Sequence, residues 1–169
     1  MVNMTLSNGK SFVMMSGSTE PRGQRDEWFS PKWIFDALGL EFDIDVCAPF
    51  NGVSWIPAKR HFSIEDDGLS QEWMGKRVWM NPPYSKPLPW TTKFRDNANG
   101  IALLPTTIGK WWLELYEDKR TSWLALPPMR FIDPQGNTAT NTMPSRAWLV
   151  AIGESNITAL KMSNLGRIR

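Results

Sequence analysis

Apolar positions along the chain fall into short runs closed by proline, glycine or acidic turns. Phe42-Asp43-Ile44-Asp45-Val46-Cys47-Ala48 alternates and then turns wholly apolar before Pro49 and the Asn51-Gly52 turn signal, which predicts a strand. Residues 76–80 predict a second strand and Ile101-Ala102-Leu103-Leu104-Pro105 a third, since apolar runs of this length bounded by breakers suit strands covered on both faces. Residues 90–97 and 110–119 predict short helices, and Trp123-Leu124-Ala125-Leu126 a fourth strand. Near the start, Ser30-Pro31 ahead of residues 32–38 and Gly39 predicts another helix. Ser30 would be its N-cap, Pro31 its first position, and Gly39 would lie just past its end.

Strands alternating with helices predict a parallel sheet wrapped on both faces. Toward the C-terminus, Arg130-Phe131-Ile132 and residues 147–152 flank a polar loop and predict two further strands forming an antiparallel edge. Residues 1–25, rich in Ser, Gly, Asn and Thr, predict a flexible arm, and residues 26–169 a single domain. Ligands of such sheets bind outside the carboxyl ends of the strands, where Asp45-Val46-Cys47-Ala48 and Asn81-Pro82-Pro83-Tyr84 both fall.

Composition narrows the chemistry. One cysteine, Cys47, excludes an internal disulfide framework, and with His61 as the one histidine neither a Cys/His zinc site nor a Ser/His triad can be assembled. No metal is expected. No run approaches the roughly 18 apolar residues of a membrane span, and the N-terminus lacks a signal peptide's apolar core, so a cytoplasmic protein without a membrane partner is expected. The net charge of +2 is small but unevenly spread. Residues 36–72 carry mostly acids, whereas Lys76, Arg77, Lys86, Lys93, Arg95 and Lys110 outweigh Asp96 over the next stretch, the half a polyanion would prefer. Ten tryptophans add either core volume or stacking faces for nucleobases.

The sharpest chemical signal is Asn81-Pro82-Pro83-Tyr84, directly after the apolar Val78-Trp79-Met80. Two prolines cannot continue a ladder, so the strand stops there and the following backbone is stiff. The Asn81 amide oxygen and the Pro82 carbonyl are acceptors fixed close together, a receptor for an NH2 group. An exocyclic amine on a planar ring is a poor nucleophile because its lone pair is delocalised. Hydrogen bonds from its protons to two fixed acceptors localise that pair, and Tyr84 could stack on the ring. The implied reaction is direct transfer of a group to a planar amine.

The ordered series DEWFSP, FDIDVCAP, HFSIEDDGLSQEW, RVWMNPPYSKP, IALLPTTIGKWW and RFIDP resembles the phage-type DNA N-6-adenine methyltransferase family, over roughly residues 26–152. That resemblance implies an α/β, Rossmann-like class I methyltransferase fold. It also implies methyl transfer from S-adenosylmethionine to the 6-amino group of adenine in DNA, in the host cytoplasm if the chain is phage-encoded. It makes Asn81, Pro82, Pro83 and Tyr84 the catalytic motif. It places Trp28, Ser30, Pro31, Asp45, Cys47, Ala48, Glu65 and Asp66 around the cofactor. Ser85, Lys86, Lys93, Arg95 and Arg130 are the candidate DNA contacts, and sequence reading would fall to the loops 85–100 and 133–145. The chain departs in two respects: APFNG supplies a single glycine, Gly52, where common methyltransferases have a Gly-rich loop, and Thr106-Thr107 stands where the family often has an Ala-Arg pair after its LLP strand. The residues themselves leave open RNA adenine or a protein glutamine as acceptor, or an inactive DNA-binding module of the same fold.

Overall fold

The sheet is built around central strands buried on both faces, with more exposed strands at its edges. β1 (Met4–Thr5) and β2 (Ser11–Phe12) form a separate antiparallel pair. After α1 (Lys32–Leu38) come β3 (Phe42–Asp45), β4 (Ala58–His61) and β5 (Val78–Met80). α2 (Leu88–Asn97), β6 (Gly100–Pro105), α3 (Lys110–Tyr116) and β7 (Thr121–Ala125) follow, then β8 (Ala147–Ile152), α4 (Glu154–Met162) and β9 (Arg167–Ile168). These positions come from a computed structural model that describes residues 4–5, 11–12, 29–107, 109–132, 137–138 and 146–169.

Seven strands form one mixed sheet in the order β4-β3-β5-β6-β8-β7-β9. β4, β3, β5 and β6 run parallel, and β8 is antiparallel to both of its neighbours. One face packs Ile34, Phe35 and Leu38 of α1 and Leu160 of α4 against Trp79, Ile101, Leu103 and Leu149. The other packs Phe94 of α2 and Leu115 of α3 against Val78, Met80, Ala102 and Leu104. Because β5 and β6 are covered on both sides, they are the apolar runs most visible in the sequence.

Three expectations need correction. Pro31, extended at φ −65° and ψ 144°, is itself the N-cap of α1 and provides no side-chain cap, while the Ser30 hydroxyl is buried without a partner. The helix still ends at Gly39, in the left-handed region at φ 59°. Arg130-Phe131-Ile132 does not form a strand, because β7 is already hydrogen-bonded on both sides, by β8 and β9. Phe131 enters the core instead, and Ile132 exchanges backbone hydrogen bonds of 2.9 and 3.0 Å with Phe29. The C-terminal side of the sheet is antiparallel as expected, but residues 147–152 are not its edge: β8 inserts between β6 and β7, and β9, antiparallel to β7, is the edge strand.

Candidate active site

Most residues the sequence places at strand ends meet at the carboxyl edge of the parallel strands. A cavity of about 840 Å³ opens there, lined by Asp45, Cys47 and Ala48 after β3, Ser63 after β4, and Asn81 and Pro83 after β5. Ser30, Ser85 and Lys86 also reach it. The register explains the meeting: Asp45 is level with His61 on one side and with Trp79 on the other, so three adjacent strands stop within a few residues of one another.

Asp45 is 4% exposed and accepts a hydrogen bond from the Cys47 amide at 3.2 Å. Burial outweighs that bond and pushes its carboxyl from 3.8 up to about 7. The Cys47 thiol is also pushed up, first by burial and then by the neighbouring Asp45, so it is a thiol at neutral pH. Two buried polar atoms of cavity-lining residues, Ser30 Oγ and Trp79 Nε1, have no hydrogen-bond partner. Unpaired buried polar groups at a cavity are where a ligand's own polar atoms lower the free energy most. The mouth is apolar: Phe50 is 62% and Ile64 88% exposed, and both line the cavity.

The turn from residue 63 to residue 73 forms one wall. Asp66 closes it, accepting from the Ser63 amide at 2.8 Å and the Ser63 hydroxyl at 2.9 Å, and these bonds hold its carboxyl below the usual range. Gly68 lies so close to the floor that a Cβ there would stand 2.3 Å from the Val46 carbonyl oxygen, so only glycine fits. The Gly68 carbonyl accepts from Trp73 Nε1 at 2.9 Å, and Trp73 stacks on Trp90 with centroids 6.1 Å apart. The lone Gly52 has a similar packing role, since its Cβ would stand 2.9 Å from His61 Nδ1.

Several expected site residues are placed elsewhere. Glu65 and Asp66 are exposed and do not line the cavity; Asp67 does, so the acid on that wall is one residue further on. Lys93 donates to the Leu69 carbonyl at 2.6 Å and to the Gln71 carbonyl, and lies 4.8 Å from the Trp73 ring centroid, so it clamps the wall rather than facing a phosphate. Arg95 reaches Glu114 and Asp118 at 3.4 Å and joins α2 to α3. Lys86 and Arg130 are exposed and form no ion pair with the described residues. Pro31 and Pro82 are buried beside the cavity residues Ser30 and Pro83. Trp28 and most of the 133–145 loop lie outside the described residues.

Tyr84 does not line the cavity. Its ring packs at 6.3 Å from Phe131, and its hydroxyl is buried without a partner, which pushes the phenol well above its ordinary range. Tyr84→Phe should therefore raise stability by about 1 kcal/mol, or about 2–4 °C in Tm. Thermal unfolding checks this, and a fall in Tm would mean that the hydroxyl has a partner.

Sequence reasoning missed the apolar lining, chiefly Phe50, Ile56, Phe62, Ile64, Trp79 and Trp90. Phe50 carried a usable signal, because it is a large apolar residue within a turn directly after a strand expected from the sequence.

A family model described as DNA N-6-adenine-methyltransferase (Dam) matches residues 17–164. The DNA N-6-adenine-methyltransferase of Haemophilus phage HP1 (strain HP1c1) is 33% identical over 84 residues, an alignment covering 47% of this chain and 47% of that protein. The chain thus aligns with about half the length of that relative. No solved structure matches. With its Asn-Pro-Pro-Tyr turn at the end of β5 and a family match running across nearly all of the sheet, the chain belongs to the Dam family of DNA N-6-adenine-methyltransferases.

Proposed function

We propose that the protein transfers a methyl group from S-adenosylmethionine to the 6-amino group of adenine in DNA. The observation that carries this is that Asn81 and Pro83, just after β5, line the same cavity as Asp45 at the end of the neighbouring β3. The donor-side residues fit the cofactor. The cavity holds a buried carboxyl, a second acid at Asp67, two unpaired polar atoms and an apolar mouth. A cationic nucleoside with hydroxyl and carboxylate groups needs such a set. Asp45 and Asp67 would accept from its hydroxyl and ammonium groups, Ser30 would donate to its polar end, and Phe50 and Ile64 would cover its base. When bound, the cofactor supplies an electrophilic methyl group. The Rossmann-like class I methyltransferase fold is supported by the parallel β4-β3-β5-β6 half and the reversed β8.

The chain's own residues act on the acceptor. Asn81 Oδ1 and the Pro82 carbonyl accept hydrogen bonds from the two amine N–H groups, which localises the lone pair toward the cavity, and the prolines keep both acceptors from turning away; the new N–C bond would form as the donor's S–CH3 bond breaks, and the methylated nitrogen would then release one proton to solvent. No side chain has to form a covalent intermediate. In duplex DNA the adenine must leave the stack to reach this depth. The test is transfer of radiolabelled methyl groups to unmethylated duplex DNA followed by nucleoside analysis. 6-Methyladenine is expected; label in RNA or in protein glutamine instead, or no label in any acceptor, would overturn the proposal.

A further inference from the structure

The cavity lies on one side of the β5 terminus. Among the described residues none after Trp90 lines it, and β6 and β8 follow β5 on the other side in the sheet order. There the sheet does not stop. Met80 is level with Ala102, which sets Asn81 beside Leu103, while β6 and β8 stay paired as far as Pro105 and Ala147. Residue 106 therefore stands about 10 Å beyond Asn81 along the strand direction. This overhang forms a wall beside the acceptor motif.

The tip of the wall is built around one residue. The Thr106 amide donates to the Arg146 carbonyl at 2.8 Å, and the Thr106 hydroxyl donates to the same oxygen at 2.6 Å. Trp148 Nε1 donates to that hydroxyl at 2.8 Å, and the Trp148 ring is held edge-on by Trp123 at 5.9 Å. Arg146 is thus anchored through its backbone at the end of a two-strand ladder, and its side chain is exposed with no ion pair among the described residues. Arg95, Arg120, Lys32 and Lys59, by contrast, are each paired with a carboxylate. An unpaired guanidinium on a rigid mount suits a phosphate oxygen, which it can meet with two parallel N–H donors. By sheet geometry it stands about 14 Å from Asn81, two strands across and three residues up. That is within reach of the backbone flanking a base delivered to Asn81.

We infer that Arg146 is a DNA-phosphate contact on the acceptor side of the site, and that Thr106 is the residue that positions it. The inference rests on the methyltransferase reading above. It predicts that Arg146→Ala raises the Kd and KM for duplex DNA about tenfold and reduces the slope of log affinity against log salt by about 1, with kcat, cofactor affinity and Tm unchanged. Arg146→Lys should restore part of the salt slope. Thr106→Val should raise the KM for DNA by a smaller factor without changing kcat or cofactor Kd. Lys76→Ala, at the opposite edge of the sheet, should leave all of these as in the wild type. DNA binding and its salt dependence are measured by fluorescence anisotropy, cofactor binding by calorimetry and transfer separately. An Arg146→Ala variant with the wild-type DNA Kd and salt slope overturns the inference. A wild-type protein that binds DNA but makes no 6-methyladenine overturns the methyltransferase reading instead, and the salt slopes still decide the role of Arg146.

Discussion

Asn81→Ala is expected to lower kcat for methyl transfer to duplex DNA by about 10³-fold, while cofactor affinity stays as in the wild type. Asn81 stands at the rim of the cavity, one residue beyond the buried end of β5, whereas Asp45, Asp67 and Ser30 come from other segments of its wall. Loss of its side chain removes an acceptor that matters most when the amine's lone pair is drawn toward the methyl donor. It leaves intact the groups that would hold that donor. The effect should appear in kcat rather than in KM, because an acceptor that strengthens as charge develops acts on the transition state more than on the bound substrate. Single-turnover transfer with saturating cofactor separates the two. A variant that still transfers at the wild-type rate would take the central role away from Asn81.

The second large effect concerns pH. In the unfolded chain Asp45 titrates at the ordinary 3.8, and in the folded chain at about 7. Between those values the folded state binds the extra proton, so stability falls as pH rises through the window, at about 1.4 kcal/mol per pH unit where only the folded form is protonated. Below 3.8 and above about 7 this contribution is flat. Asp45→Asn should remove the slope, which denaturant unfolding at a series of pH values can measure. Ligand binding should run the other way. A cationic donor favours the ionised carboxylate, so affinity for S-adenosylmethionine should rise about tenfold per pH unit up to about 7 and then level off. Calorimetric affinities that do not change with pH across that window would remove Asp45 from the cofactor site.

The buried strands could be read from the sequence because burial on both faces leaves an uninterrupted apolar run, as in Val78–Met80 and Ile101–Leu104. β4 could not, since Lys59, Arg60 and His61 are exposed at the sheet edge and carry no apolar alternation. Arg130–Ile132 has a strand's composition, but pairing is a property of the neighbours, and β8 and β9 already fill both sides of β7. At the site, the strand ends at Asn81 and Asp45 were legible because local pattern fixes them, whereas Ser30 came from the family resemblance, its local pattern having suggested an N-cap. The acids on the 63–73 wall were not, because Asp66 and Asp67 are adjacent and only the Ser63 bonds decide which one turns inward. The charges of Lys93 and Arg95 misled for the same reason: a sequence shows that a cation exists but not which carbonyl or carboxylate holds it.

The bonds made by Lys93 have a consequence for cooperativity. α2 grows directly out of the loop that follows Asn81, and through Lys93 it grips the carbonyls of Leu69 and Gln71, just after the turn that carries Asp67 and Gly68. The 63–73 wall of the cavity and the loop after Asn81 are therefore braced by one helix. On the proposed function, any free energy by which a bound donor stiffened that wall would be passed to the loop offered to the adenine, and thermodynamic linkage would return the same amount in the other direction. Two ligands could then report on each other without any domain having to close.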